Sequence, residues 1–171
     1  MKKLYKTPLT RSFSAQIAAN FPSFKLAPVL EKKHLYSHGS HFVEQVRAGH
    51  WLFISLLPDA RASHEYFSVE IGWSRLGRIP ETTDGRAVPN FKKEWMDKQE
   101  FNSYLVGNNQ IGGWQLERVF DPLPHQLTGL PLSAEIAMQV VDSIMPEVMA
   151  TLIKDGGPIL EMMRTRLMEE I

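Results

Sequence analysis

Seven consecutive residues, Trp51-Leu52-Phe53-Ile54-Ser55-Leu56-Leu57, are apolar at every position but one. A strand with apolar side chains on both faces needs cover on both sides, so this run reads as the central strand of a sheet. Glu65 to Trp73 follows as the clearest alternating stretch. Phe67, Val69, Ile71 and Trp73 share one face; Tyr66, Ser68, Glu70 and Gly72 share the other. The first set meets a core, and Glu70 meets water or a polar groove.

The surrounding chain supplies further elements. Residues 10–20 read as a short helix capped by Thr10, with Phe13, Ile17 and Phe21 at helical spacing and Pro22 ending it. Residues 24–30 alternate in part, with Pro28 suited to an edge. Residues 33–36 and 41–47 flank a hairpin turn at Ser37-His38-Gly39-Ser40, and Ala48-Gly49-His50 is a second tight connection. Residues 75–92 are rich in Gly, Pro and Asp and read as a turn-rich excursion. A short helix is expected within Asn90–Tyr104, and a last strand from Trp114 to Phe120.

The C-terminal part is helical. Ile136, Val140, Ile144 and Val148 are spaced by four, beside a parallel row of Ala137, Val141, Met145 and Met149. A face this wide must be buried. Pro146 predicts a kink or break. Asp155-Gly156-Gly157-Pro158 reads as a turn, with Pro158 starting a last helix. A helix, then strands on short connections, then helices indicates a single α+β domain over 1–171. Its antiparallel sheet has five to six strands, with an N-terminal helix and C-terminal helices packed on one face.

Composition narrows the functions. There is no cysteine, which excludes disulfides, thiolate metal sites and thiol nucleophiles. The basic start is followed by no apolar signal core, and the longest strongly apolar run, Trp51 to Pro58, is far short of the ~20 residues of a spanning helix. The expectation is a cytoplasmic protein with no membrane partner. Nineteen basic residues balance nineteen acidic ones, which argues against nucleic acid as a partner through bulk charge. The balance is uneven: residues 1–50 carry eight basic and two acidic side chains, residues 121–171 three and eight. The basic part is expected to face the acidic helices, within the fold or across a dimer.

Histidines 34, 38 and 41 lie within eight residues, and in a hairpin His34 and His41 face each other with His38 at the turn. Imidazole is the commonest metal ligand, so a metal-dependent hydrolase or nuclease is the alternative reading. The neighbouring Glu31 and Glu44 have no recognised metal spacing, and three solvated histidines on a surface hairpin satisfy the pattern equally. No nucleophile elbow and no phosphate loop occurs. Glu65 and Glu70 are five apart and point to opposite faces of a regular strand, so they do not form a carboxylate pair. Glu70 is expected to pair with Arg75 or Arg118 across the sheet. Trp73 reads as core. Trp95, in the Lys92-Lys93-Glu94-Trp95 segment, reads as an exposed anchor, with Tyr104, Arg86 and Glu70 as further surface contributors to partner binding.

Phe53-Ile54-Ser55-Leu56-Leu57-Pro58, Phe67-Ser68-Val69-Glu70-Ile71-Gly72-Trp73-Ser74 and the C-terminal helix with Met145-Pro146 together resemble small bacterial α+β domains. In those domains C-terminal helices back an antiparallel sheet, and some act as immunity proteins of toxin systems. The resemblance covers 41–75 and 133–165 and implies no catalytic residue and no cofactor. The leading expectation is therefore a non-enzymatic binding protein of immunity type. Homo-oligomerisation through the C-terminal helices is a further expectation, because their apolar face exceeds what a small sheet covers.

Overall fold

The computed structural model describes residues 1–27, 39–59, 65–79, 86–107, 113–118 and 121–170. Helix α1 spans Lys3–Asn20. It begins a full turn and more before Thr10, because Tyr5 and Leu9 extend the row of Phe13 and Ile17 at four-residue spacing, and all four are buried. Pro8 is accommodated inside it. The strands are β1 (Lys25–Leu26), β2 (Ser40–Arg47), β3 (His50–Pro58), β4 (Tyr66–Ser74), β5 (Phe101–Leu105) and β6 (Trp114–Gln115). They form one antiparallel sheet in the order β1-β2-β3-β4-β5, with β6 also on β4. The apolar run is central, as its sequence requires.

Between β4 and the C-terminal helices, two elements differ from expectation. The helix expected within Asn90–Tyr104 is instead a pair of single 3₁₀ turns, Val88–Asn90 and Lys93–Trp95, leading into β5. Asn102 and Tyr104 alternate with Phe101, Ser103 and Leu105, a period of two that is short and puts polar and apolar residues on both faces. The last strand is only two residues long, at Trp114–Gln115.

A four-residue helix α2, Pro124–Leu127, precedes the long C-terminal helices. Helix α3 runs Ala134–Thr151, opened by Ser133, whose hydroxyl accepts from the Ile136 amide at 3.2 Å. Pro146 lies on its exposed side and does not break it. No turn forms at 155–158. Residues Leu152–Gly156 make a π-helical turn, and α4 follows directly at Gly157–Glu169. Gly156 is helical, with φ −83°, so it is not used for a left-handed bend. A Cβ there would lie 3.0 Å from Leu152 Cδ1 and 3.6 Å from Ile71 Cδ1, so the missing side chain lets the helix approach the sheet. The π-turn stands where Pro158 withdraws an amide from the ladder.

Helix α4 packs across β2, β3 and β4, and α3 packs on α1. Register puts Leu52, Ile54 and Leu56 of β3 beside Trp73, Ile71 and Val69 of β4 on the helix side, with Phe42 and Tyr104 flanking them. All of these are buried, together with Leu160, Met163 and Leu167 of α4. The continuous helix 134–169 is long and apolar enough to cross a bilayer by length and composition. Within the fold Ala137, Val140, Val141, Met145, Val148 and Met149 of that stretch are buried.

Ion pairs stitch the helices to the sheet edges. Arg164 of α4 holds Glu44 of β2 through two bonds, Nε to Oε1 at 2.7 Å and Nη2 to Oε2 at 2.6 Å. Arg75, just past β4, donates to both oxygens of Glu170, and His50 Nε2 lies 3.5 Å from the same carboxylate. Arg166 donates to Asp97. Of the basic N-terminal fifty residues, Arg47 and His50 do meet the acidic C-terminus at Glu170. Lys3, Lys6 and Arg11 of α1 form no ion pair among the described residues.

Candidate functional site

Arg86, Trp95 and Tyr104 come together at the β5 edge. The 3₁₀ turn at 93–95 swings the Trp95 indole against Tyr104, with ring centroids 6.3 Å apart and planes 6° from parallel. Tyr104 in turn stacks on Trp73 at 6.1 Å and meets Phe91 edge-on at 5.3 Å. The Arg86 guanidinium carbon stands 4.4 Å from the Trp95 ring centroid, and Lys92 Nζ stands 5.6 Å away. Both are within cation–π range of the best aromatic acceptor. Arg86 is positioned by its backbone, whose carbonyl accepts from the Leu105 amide at 2.7 Å. Trp95 is thus half-buried against Tyr104 rather than the exposed anchor expected, and it is flanked by positive charge.

Tyr104 is not a surface residue. It is fully buried, because β5 pairs with β4 so that Tyr104 sits opposite Ile71 on the helix side. Its part is to back Trp95, not to touch a partner. Glu70 is separated from this cluster. It lies on the other face of β4, half-buried, and accepts from the Ser103 hydroxyl at 2.8 Å. The expected pairing of Glu70 with Arg75 or Arg118 does not form: Arg75 goes to Glu170, and Arg118 stands 3.8 Å from Asp121.

That other face of the sheet carries a polar row that the sequence reading missed. His41, Ser55 and Glu70 are direct cross-strand neighbours on β2, β3 and β4. His41 Nδ1 and Ser55 Oγ share a hydrogen bond of 2.7 Å, and each residue is only 2% exposed. A hydroxyl bonded to an imidazole is the pair a nucleophilic serine requires. Among the described residues the neighbouring carboxylate, Glu70, lies beside the serine, and both His41 and Ser55 are buried. The row works as a satisfied polar network in the sheet. Ser55 carried a visible signal, as the one polar residue of the apolar run. Ser103 carried none without β5.

Of the three candidate histidines, His41 is buried on the sheet face away from the helices, with Nδ1 bonded to Ser55. His34 and His38 lie outside the described residues. Among the described residues, no group of three or more His, Asp or Glu side chains gathers as a metal site. Elsewhere, Tyr5 of α1 donates to Glu117 at 3.0 Å and lies 3.1 Å from His125 Nε2. Burial, reinforced by Glu117, pushes the Tyr5 phenol well above its usual range. Burial also lowers the His125 pKa, so the trio is a structural hydrogen-bonded cluster at neutral pH.

Comparison with protein-family models, curated proteins and solved structures finds no match for this chain.

Proposed function

We propose that this protein is a non-enzymatic, cytoplasmic binding protein of the immunity type, which inhibits a bacterial toxin by covering it with the surface around Trp95. The observation that carries this reading is the layered contact of Arg86 and Lys92 on the half-buried Trp95 ring, backed by the buried Tyr104. Binding energy concentrates in tryptophan and arginine anchors that are held in place before the partner arrives. Tyr104 removes the freedom that Trp95 would otherwise lose on binding. The exposed Lys92 beside the ring favours a partner with acidic groups near its contact point.

The test is affinity capture from the native cell with the wild-type chain and with Trp95→Ala. A stoichiometric protein partner retained by wild type and weakened about 30-fold or more by Trp95→Ala is expected, as for a hot-spot loss of about 2 kcal/mol. Capture of no protein, or equal capture by both chains, overturns the reading.

A further inference from the structure

Helices α1 and α3 lie side by side, and the groove between them is open. It encloses about 600 Å³ and is lined by Leu4, Pro8 and Ala15 of α1 and by Ala134 and Met138 of α3. Leu4 is 42% exposed and Met138 49%. The rims are of opposite sign. Helix α1 carries Lys3, Lys6 and Arg11 and no acidic residue; α3 carries Glu135, Asp142 and Glu147 and no basic one. Glu147 accepts from the Trp114 indole at 3.1 Å, which leaves Glu135 and Asp142 on the exposed side. Arg11 and Asp142 line the same groove, yet they do not pair within the chain. Two lysines in the first turns of α1 stand at the positive end of the helix dipole, where they cost local stability. Glu65 meets the start of the helix, accepting from the Lys2 amide at 2.7 Å, while Lys3 and Lys6 themselves form no ion pair among the described residues.

We infer that the α1–α3 groove is a docking surface for a second copy of this chain, seated about a two-fold axis that runs along the groove. A rotation about that axis lays α1 of each copy over α3 of the other. Lys3 and Arg11 then meet the partner's Glu135 and Asp142 twice over, and the apolar floors close on each other. A two-fold axis across the groove would instead lay α1 on α1 and bring like charges together. The self-complementary pattern is what an isologous contact needs. Two 18-residue helices side by side give a footprint of roughly 500 Å² per copy, at the lower edge of specific interfaces. The dimer is therefore of modest affinity and sensitive to salt. It stands independently of the Trp95 surface, which it leaves available.

Sedimentation velocity over a concentration series tests this. Wild type is expected to dimerise in the micromolar range at low salt and to dissociate as salt rises. The variant Lys3→Glu with Arg11→Glu makes both rims acidic, and Glu135→Gln with Asp142→Lys makes both basic. Each alone is expected to weaken the dimer by about tenfold or more. An equimolar mixture of the two is expected to restore it, since each acidic rim then faces a basic one; recovery also shows that both variants are folded. A wild type that stays monomeric throughout overturns the inference, as does a dimer untouched by both variants. A mixture that fails to associate while both variants keep their helical circular dichroism overturns it as well.

Discussion

The two faces of the sheet are built from the same strands and stabilised in opposite ways. The helix side is apolar and continuous, from Phe42 through Ile54, Ile71 and Tyr104 to the underside of α4. The other side carries His41, Ser55, Glu70 and Ser103, with the buried Phe53 lying across Gly72. No described helix covers that side. A substitution on the first face loses burial and packing, whereas one on the second loses hydrogen bonds or close backbone approach. The two faces should therefore answer differently to the same kind of change.

The largest effect is expected on the helix side. Trp73→Ala removes a fully buried indole stacked on Tyr104 and should cost about 3–5 kcal/mol in denaturant unfolding. A loss below 1 kcal/mol would mean that the aromatic column does not hold the core. Next is Gly72→Ala on the opposite face. A Cβ there would fall 2.2 Å from the Asn102 carbonyl oxygen and 2.5 Å from Phe53 Cζ. A backbone oxygen cannot rotate away as a side chain can, so a loss of about 1–3 kcal/mol is expected. An alanine tolerated without change would show that this face is loosely packed.

The polar row gives the third contrast. His41→Phe leaves the buried Ser55 hydroxyl without its imidazole partner and should cost about 1–3 kcal/mol by thermal or chemical unfolding. Adding Ser55→Ala should recover part of that loss, because a hydroxyl that is absent needs no partner. On the helix side no such rescue operates, since a second truncation there only enlarges the cavity. Additive losses for His41 and Ser55 would remove the distinction between the faces.

The antiparallel sheet and the central place of Trp51–Leu57 were legible because apolar periodicity reports burial directly. The row of His41 and Ser55 was not, and the reason lies in register. Arg47 pairs with His50, and counting outward from that turn would place His41 opposite Leu56. An irregularity between Gln45 and Arg47 shifts the pairing by one residue, so His41 meets Ser55 instead. A bulge in a polar stretch leaves no mark in hydrophobic pattern. Tyr104 was misplaced for a related reason: β5 is five residues long and mixes polar with apolar residues on each face, so it shows no clean alternation. Gly156-Gly157-Pro158 has the composition of a turn, and only the nearness of Ile71 shows that the glycine serves helix–sheet contact. Trp95 and Arg86 were legible as residues from their polar surroundings, while their stacking on one another needed the 3₁₀ turn.

The smallest effect concerns the stitch that fastens the C-terminal end of α4 to the sheet. Hydrogen bonding from Arg75, opposed in part by burial, holds the Glu170 carboxyl below the usual carboxylate range, with His50 and Arg47 adding charge attraction. A lowered folded pKa stabilises the protein above the unfolded value, and that contribution is lost as pH falls through the folded pKa. Glu170→Gln should thus lower stability by about 1 kcal/mol at neutral pH, as expected for a half-exposed pair. The difference from wild type should vanish once the pH drops below the carboxylate range. Unfolding midpoints of both chains from neutral pH into acid check this. Equal curves throughout would mean that α4 is held by Leu160, Met163 and Leu167 alone, and that the helix side needs no charge to close. A gap that widens in acid would reverse the sign and place the stabilising charge elsewhere. Glu44 is the internal comparison, since its carboxyl is also lowered: burial alone would raise it, and the bonds from Arg164 and Ser23 outweigh that. The deficit of Glu44→Gln should narrow over the same acid range, so both stitches in the C-terminal half of α4 should loosen together as the two carboxylates protonate.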